Sequence, residues 1–117
     1  MSDTEQRLAI VGSRDFPYLW MVGRYLDEKR PAEVVSGGAK GVDTAAERWA
    51  NKNGVPFKKF PADWNKYGKG AGFVRNQQIV DYANCVVAFQ YNKSNGTADT
   101  ITKALKAEKL REVISVY

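Results

Sequence analysis

Short apolar runs alternate along this chain with longer segments that have helical spacing. In 17–30, apolar residues recur at spacings of three, four and seven, whereas "LAIVGS" and "NCVVAFQY" read as buried strands. This alternation predicts right-handed βαβ units, and therefore a parallel sheet with helices on both faces. Strands are predicted at 8–13, 33–36, 55–61, 84–91 and 112–117, and helices at 17–30, 42–50, 72–83 and from residue 98 onward.

The predicted fold class is α/β: one doubly wound parallel sheet of about five strands in the order 3-2-1-4-5. Strands 8–13 and 84–90 are the most apolar, so we expect them side by side at the centre. Residues 8–117 form the predicted domain, after a frayed N-terminus at 1–7. In such sheets ligands bind beyond the carboxyl ends of the strands, here at the switch point between strands 1 and 4.

Composition narrows the possible chemistry. The 117 residues include no histidine, which removes the usual zinc ligand and the usual general base. Cys85 is the one cysteine and is predicted to pack in the core. The net charge of +5 favours anionic partners, although the basic residues are dispersed as on a solvated surface. We expect no metal, no cofactor and no membrane partner, and the lack of a signal-peptide pattern predicts a cytoplasmic location.

Three loops must emerge at the same edge of the predicted sheet, because parallel strands share one direction. They read "GSRDF", "SGGAKGVD" and "NKSNGT". The second and third lead into helix N-termini, where unpaired amides favour an anion, and Ser94 and Thr97 add hydroxyl donors. Alternatively, Gly37, Gly38 and Gly96 supply positive φ for tight turns and Thr97 is a helix N-cap. Neither G-x-G-x-x-G nor G-K-[ST] occurs, which argues against NAD-dependent dehydrogenases and P-loop ATPases.

Several polar residues lie near these loops. The Arg75 guanidinium suits a phosphate, or it pairs with Asp81 or Asp99 at the surface. Asn76, the next residue, reads a base edge or caps the helix. These alternatives remain open on sequence grounds.

Two further residues carry similar alternatives. Asp43 either interacts with its helix dipole, or faces ribose hydroxyls or acts as a general base beside the ligand. Arg14 is a candidate ligand contact at the switch point, or it pairs with its neighbour Asp15. A carboxylate beside a phosphate loop would repel the anion, so Asp43 is expected to contact a sugar, a base or a metal.

The tryptophans divide into two groups. Trp64 and its near neighbour Tyr67 lie in a glycine-rich loop, where they stack on a base or pack together as a lid. Trp20 and Trp49 fall in predicted helices and are expected to be structural, with Trp49 on the core face of its helix.

Four motifs in order resemble the SLOG superfamily: "IVGSRDF", "VVSGGAKGVDTAAERWA", "FPADWNKYGKGAGFVRNQQIVDYA" and "SNGTADTI". The similarity covers residues 8–117 and is strongest to the small stand-alone branch of bacterial and phage proteins. The superfamily also includes Lonely-guy phosphoribohydrolases, molybdenum-cofactor carrier proteins and the DNA-processing protein. The resemblance implies a Rossmann-like fold that binds nucleotides or nucleotide-derived ligands at the predicted edge.

The resemblance also implies roles for individual residues. Arg75 lies about where Lonely-guy enzymes carry the arginine of "M-H-x-R-K". Where those enzymes read "G-T-x-E-E", this chain reads "GTADT", so that Asp99 takes the first acidic position and Thr100 replaces the second carboxylate. Positions matching ligand-facing loops are Gly12 and Ser13 after the first strand, the glycine pair Gly37 and Gly38, and Ser94, Gly96 and Thr97 of the phosphate loop.

The sequence therefore predicts a protein that binds a nucleotide or ADP-ribose-like ligand as a sensor, carrier or sequestering protein. One alternative is an N-glycosidic-bond hydrolase of the phosphoribohydrolase type, with Asp43 and Asp99 as catalytic candidates. Another is a single-stranded DNA-binding module, although nucleic acid is the less expected partner. A homo-oligomer is implied by the resemblance alone. Candidate ligand-binding residues are Gly12, Ser13, Arg14, Gly37, Gly38, Gly41, Arg75, Asn76, Ser94, Gly96 and Thr97.

Overall fold

The computed structural model describes residues 6–92 and 94–116, and it confirms a five-stranded parallel sheet in the order β3-β2-β1-β4-β5. The central strands β1 and β4 pair from Leu8 with Cys85 to Gly12 with Phe89. The strands are β1 (Arg7–Gly12), β2 (Glu33–Ser36), β3 (Phe57–Lys59), β4 (Cys85–Tyr91) and β5 (Leu110–Val116). The α-helices are α1 (Trp20–Lys29), α2 (Val42–Asn53), α3 (Trp64–Tyr67), α4 (Ala71–Tyr82) and α5 (Asn95–Lys106).

Two apolar layers sandwich the sheet, as the predicted doubly wound fold requires. Because successive strand side chains point to opposite faces, Leu8 and Ile10 pack on one side, with residues of α1 and α2. Ala9 and Val11 pack on the other side, with residues of α4 and α5. Cys85 is buried in the first layer, as predicted.

The first helix begins at Trp20 and not at Pro17. Phe16 is buried in the core and makes an edge-to-face contact with Phe89, its ring centroid 5.6 Å away. Because Phe16 is held in the core, the exposed residues 17–19 connect it to the start of the helix. Trp20 was expected to be structural, but it does not pack in the core, because it is 62% exposed. Trp49 is buried, as predicted.

The segment predicted as a glycine-rich loop contains the short helix α3 and a 3₁₀ turn, Gly68–Gly70. The Asp63 carboxylate starts α3 by accepting a hydrogen bond of 3.1 Å from the Lys66 amide. The side chain of Trp64 lies beside Gly72. Local capping therefore orders a stretch whose glycines predicted irregular structure.

The boundaries of the terminal strands also shift. β1 begins at Arg7, within the segment predicted as frayed, because its amide donates to Asn84 Oδ1 over 2.6 Å and its side chain donates to the Tyr82 carbonyl. β5 begins at Leu110, two residues earlier than predicted. The predictions for 1–5 and for Tyr117 lie outside the described residues.

Within the described ranges, no helix combines the length and the apolar character needed to cross a bilayer.

Candidate functional site

A cleft of about 500 Å³ opens at the carboxyl ends of β1 and β4, at the predicted switch point. We call it the switch-point cleft. Most of the residues predicted from sequence line it together with several that were not. The lining consists of Val11, Gly12, Ser13, Arg14, Asp15, Ala39, Asp43, Arg75, Asn76, Ile79, Ser94, Gly96, Thr97 and Thr100.

The N-terminus of α5 forms one wall of this cleft. The first hydrogen bond of the helix runs from the Ala98 amide to the Ser94 carbonyl, 2.9 Å, so the amides before Ala98 have no partner within the helix. Among the described residues, a Cβ atom built on Gly96 would meet no atom within 4 Å beyond its own helix and chain neighbours. This wall therefore presents backbone donors and the positive end of a helix dipole to open space.

Hydroxyl groups tie this wall to the end of β1. Ser13 is buried, and its hydroxyl accepts a hydrogen bond from the Tyr91 amide, 3.0 Å. It lies 2.9 Å from the Ser94 hydroxyl, which donates to Thr97 Oγ1 over 2.8 Å. Ser94 is the N-cap residue of α5, so the alternative that placed Thr97 there is wrong. The α5 wall is thus fixed to the centre of the sheet.

Asp43 organises the loop between β2 and α2. Its Oδ2 accepts hydrogen bonds from the amides of Gly37 and Ala39, both 3.1 Å long. Burial raises the pKa of this carboxyl, whereas the two amides, the Ser36 hydroxyl and the Arg75 charge act in the opposite direction. Asp43 lines the cleft, but at least one of its oxygen atoms serves the loop.

Arg75 bridges two parts of the site. Its Nη1 donates to the Gly37 carbonyl and its Nε donates to Asn76 Oδ1, both over 3.0 Å. The surface pairs considered from sequence do not form, since Asp81 accepts from Gln77 and Asp99 pairs with Lys103. The guanidinium is held in place while still lining the cleft.

The three glycines of "SGGAKG" do not line the cleft. A Cβ on Gly37 would clash with the Arg75 guanidinium, one on Gly38 with the Lys59 side chain, and one on Gly41 with the Arg14 carbonyl. Gly38 and Gly41 have positive φ values of 78° and 79°. The idea that Gly37 and Gly96 supply positive φ is wrong. The space that a side chain would need at these three glycines is therefore occupied by other parts of the protein itself.

Asn76 and Asp99 are paired with each other. Asn76 is buried, and its Nδ2 donates to Asp99 Oδ2, 3.0 Å, and to the Gly96 carbonyl, 3.3 Å. Asp99 also forms an ion pair with Lys103, and it is not among the residues that line the cleft. Of the two carboxylates considered as catalytic, the structure therefore brings Asp43 to the lining of the cleft and leaves Asp99 outside it.

Arg14 is exposed, and within 6–92 and 94–116 its guanidinium forms no ion pair with the adjacent Asp15. Asp15 also lines the cleft, although sequence reasoning treated it as no more than a partner for Arg14. Thr100 was read as the replacement for a carboxylate, yet it is buried in the lining and donates to the Gly96 carbonyl. Asp15 could have been predicted from its position after the end of β1, and Thr100 from its spacing of four residues from Gly96 on the same helix.

Among the described residues no group of three or more histidine, cysteine, aspartate or glutamate side chains is placed to hold a metal ion.

Comparison with known proteins agrees with this fold. Residues 6–67, more than half of the chain, match the model of the YspA, cpYpsA-related SLOG family, YAcAr. This chain belongs to that family, and so to the SLOG superfamily predicted from its motifs. Family membership supports a nucleotide-related binding role in general terms.

Two individual proteins are similar. Gene 61 protein of Mycobacterium phage D29 is 40% identical in an alignment of 80 positions that covers 63% of this chain and 64% of that protein. DNA processing protein A from Helicobacter pylori, solved in work on its single-stranded DNA binding mode, shares the fold with a TM-score of 0.66. That match has 22% identity and covers 94% of this chain and 66% of the other. The matched region thus spans just under two thirds of each relative.

Proposed function

We propose that this protein binds a nucleotide or nucleotide-derived ligand in the switch-point cleft, as a sensor, carrier or sequestering protein. The observation that carries the proposal is the open N-terminal turn of α5. Gly96 lines the cleft, and among the described residues no atom outside its own helix and chain neighbours lies within 4 Å of the position that a Cβ would take there. Backbone donors at a helix N-terminus favour a phosphate without any change in the fold.

The cleft contains groups of both charges, which suit two different parts of a ligand. Arg14 and Arg75 supply positive charge, and a guanidinium suits phosphate oxygens. Asp15 and Asp43 would repel a phosphate, but they accept hydrogen bonds from sugar hydroxyls or base amines. A ligand with a phosphate at one end and a polar sugar or base at the other fits this distribution better than inorganic phosphate does.

Calorimetric titration with AMP, ADP-ribose, NAD and ribose 5-phosphate tests the proposal. We expect Arg14→Gln to weaken the binding of the phosphorylated ligands about tenfold, as expected for the loss of a hydrogen bond to a charged group. Arg48→Gln is the matched control, because Arg48 is also exposed but does not line the cleft. Equal losses in the two variants, or no binding by the wild type, would remove the proposal.

Hydrolysis of an N-glycosidic bond is a second candidate function. A buried carboxylate with a raised pKa inside a cleft, here Asp43, is a recognised feature of catalytic sites. Chromatography of each ligand after incubation separates the two functions. Intact ligand supports a binding protein, whereas free base and sugar phosphate support the hydrolase.

Binding of single-stranded DNA is a third candidate, favoured by the shared fold with DNA processing protein A and by the net charge of +5. Its signature is a steep loss of affinity for an oligonucleotide as salt rises, because bound phosphates release counterions. A mononucleotide in the switch-point cleft would show a much weaker salt dependence.

A further inference from the structure

A second cavity adjoins the switch-point cleft and shares Arg75 with it. Its volume is about 390 Å³, and it lies between α3 and α4. We call it the α3–α4 pocket. It is lined by Pro61, Ala62, Asp63, Lys66, Tyr67, Ala71, Val74, Arg75 and Gln78.

Arg75 is fixed at the junction of the two cavities. Its Nε donates to Asn76 and its Nη1 donates to the Gly37 carbonyl, so the plane of the guanidinium is held from two sides. A guanidinium has five N–H donors, and these two bonds use two of them. The remaining donors suit an anionic group that passes from one cavity to the other.

The α3–α4 pocket combines an aromatic ring with groups of both signs of charge, because Lys66 and Arg75 line it together with Asp63. The Lys66 ammonium lies 5.1 Å from the centroid of the Tyr67 ring, so the opposite face of that ring is the one on which a base would stack. Tyr67 is 39% exposed and provides a ring, while Ala71 and Val74 provide an apolar surface. Gln78 supplies both a donor and an acceptor. The Asp63 carboxylate, which caps α3, would repel an anion but accepts hydrogen bonds from an amine.

We propose that the α3–α4 pocket is a nucleobase subsite, and that the ligand spans both cavities with one phosphate at Arg75 and the next at the N-terminus of α5. This inference rests on the proposed function and makes it more specific. It selects ligands with a base joined through phosphate to a sugar, such as ADP-ribose, over small sugar phosphates. Tyr67 stacks on the base, Gln78 and Asp63 contact its edge, and the terminal sugar lies in the switch-point cleft beside Asp43.

Titration of the full chain with ADP-ribose and with ribose 5-phosphate tests this arrangement. We expect Tyr67→Ala to weaken ADP-ribose binding about tenfold, the size of one lost base–aromatic stack. Ribose 5-phosphate affinity should not change, because that ligand has no base. Tyr67→Phe keeps the ring and should restore ADP-ribose affinity to within about twofold of the wild type. Trp64→Ala is the matched control, since Trp64 is an exposed aromatic of the same helix outside the pocket lining.

The outcomes separate this inference from the proposed function. If Tyr67→Ala leaves ADP-ribose affinity unchanged while Arg14→Gln lowers it, the base subsite is wrong and binding in the switch-point cleft remains. If Tyr67→Ala lowers the affinity for both ligands equally, or Trp64→Ala has the same effect as Tyr67→Ala, base stacking is wrong. Failure of the wild type to bind ADP-ribose would overturn both proposals.

Discussion

The two glycine-containing loops at this edge of the sheet differ in what their glycines contact. In the β2–α2 loop, Gly37 and Gly41 lie against Arg75 and the Arg14 backbone, and the Asp43 carboxylate satisfies two loop amides. In the loop before α5, Gly96 faces open space and the first helical amides have no partner within the helix. Both loops look like phosphate loops in sequence, yet the first is filled by protein and the second is open.

This difference shows that a glycine marks a close approach without saying what approaches. The β2–α2 loop supports the site by holding Arg75 and Asp43 in position. The loop before α5 supplies the surface on which we propose that the ligand binds. Substitutions in the first loop should therefore change stability most, and those in the second should change binding.

The largest expected effect comes from a matched pair of glycine substitutions. Gly41→Ala places a side chain at a φ of 79° and against the Arg14 carbonyl, so it should lower the free energy of unfolding by about 3 kcal/mol. Gly96→Ala enters open space in the first turn of a helix and should change that free energy by less than about 1 kcal/mol. Urea denaturation measures both, and similar losses would contradict the contrast between the loops.

A smaller loss of stability is expected from Asp43→Ala, because it leaves the Gly37 and Ala39 amides without their acceptor. The free energy of unfolding should fall by about 2 kcal/mol, the order of cost of an unsatisfied polar group. Asp43→Asn keeps one side-chain oxygen as an acceptor and should recover much of this loss. If Asp43→Ala unfolds at the same urea concentration as the wild type, the carboxylate does not hold the loop.

The smallest expected effect is a pH dependence of the free energy of unfolding that arises from Asp43 in the β2–α2 loop. Burial raises the pKa of Asp43 above its ordinary value of 3.8, so the folded protein holds this proton more tightly than the unfolded chain does. The stability contributed by this group is therefore complete below about pH 3.8 and is lost as pH rises through the higher pKa of the folded state.

Asp43→Asn does not titrate at this position and provides the comparison. The wild-type free energy of unfolding, minus that of Asp43→Asn, should decrease as pH is raised from about 3.8. The cost of Ser94→Ala should stay constant over the same interval, because the hydroxyl network at α5 has no ionisable member. A wild-type advantage that grows with pH would show that the Asp43 pKa is lowered and not raised.

Much of the fold and part of the site could be predicted without coordinates. Apolar runs such as "CVVAF" can be buried only at the centre of a sheet with both faces covered, which placed β1 beside β4. The rule that ligands bind at the switch point then located the cleft and brought Ser13 and Thr97 into it. The helical segments followed from their spacing, apart from α3, where one capping carboxylate overrode the glycine content.

The sequence by itself determined the doubly wound sheet and the edge at which the switch-point cleft opens, because strand burial and helical periodicity are local patterns. The family was indicated by the resemblance of its four motifs. Only the tertiary structure decided which glycines face the cleft, that Asp99 accepts a hydrogen bond from Asn76, and that Arg75 contacts Gly37. These contacts join residues that are distant in the chain or lie on opposite sides of a helix. Their distances depend on how α2, α4 and α5 pack against the sheet, which no local pattern specifies.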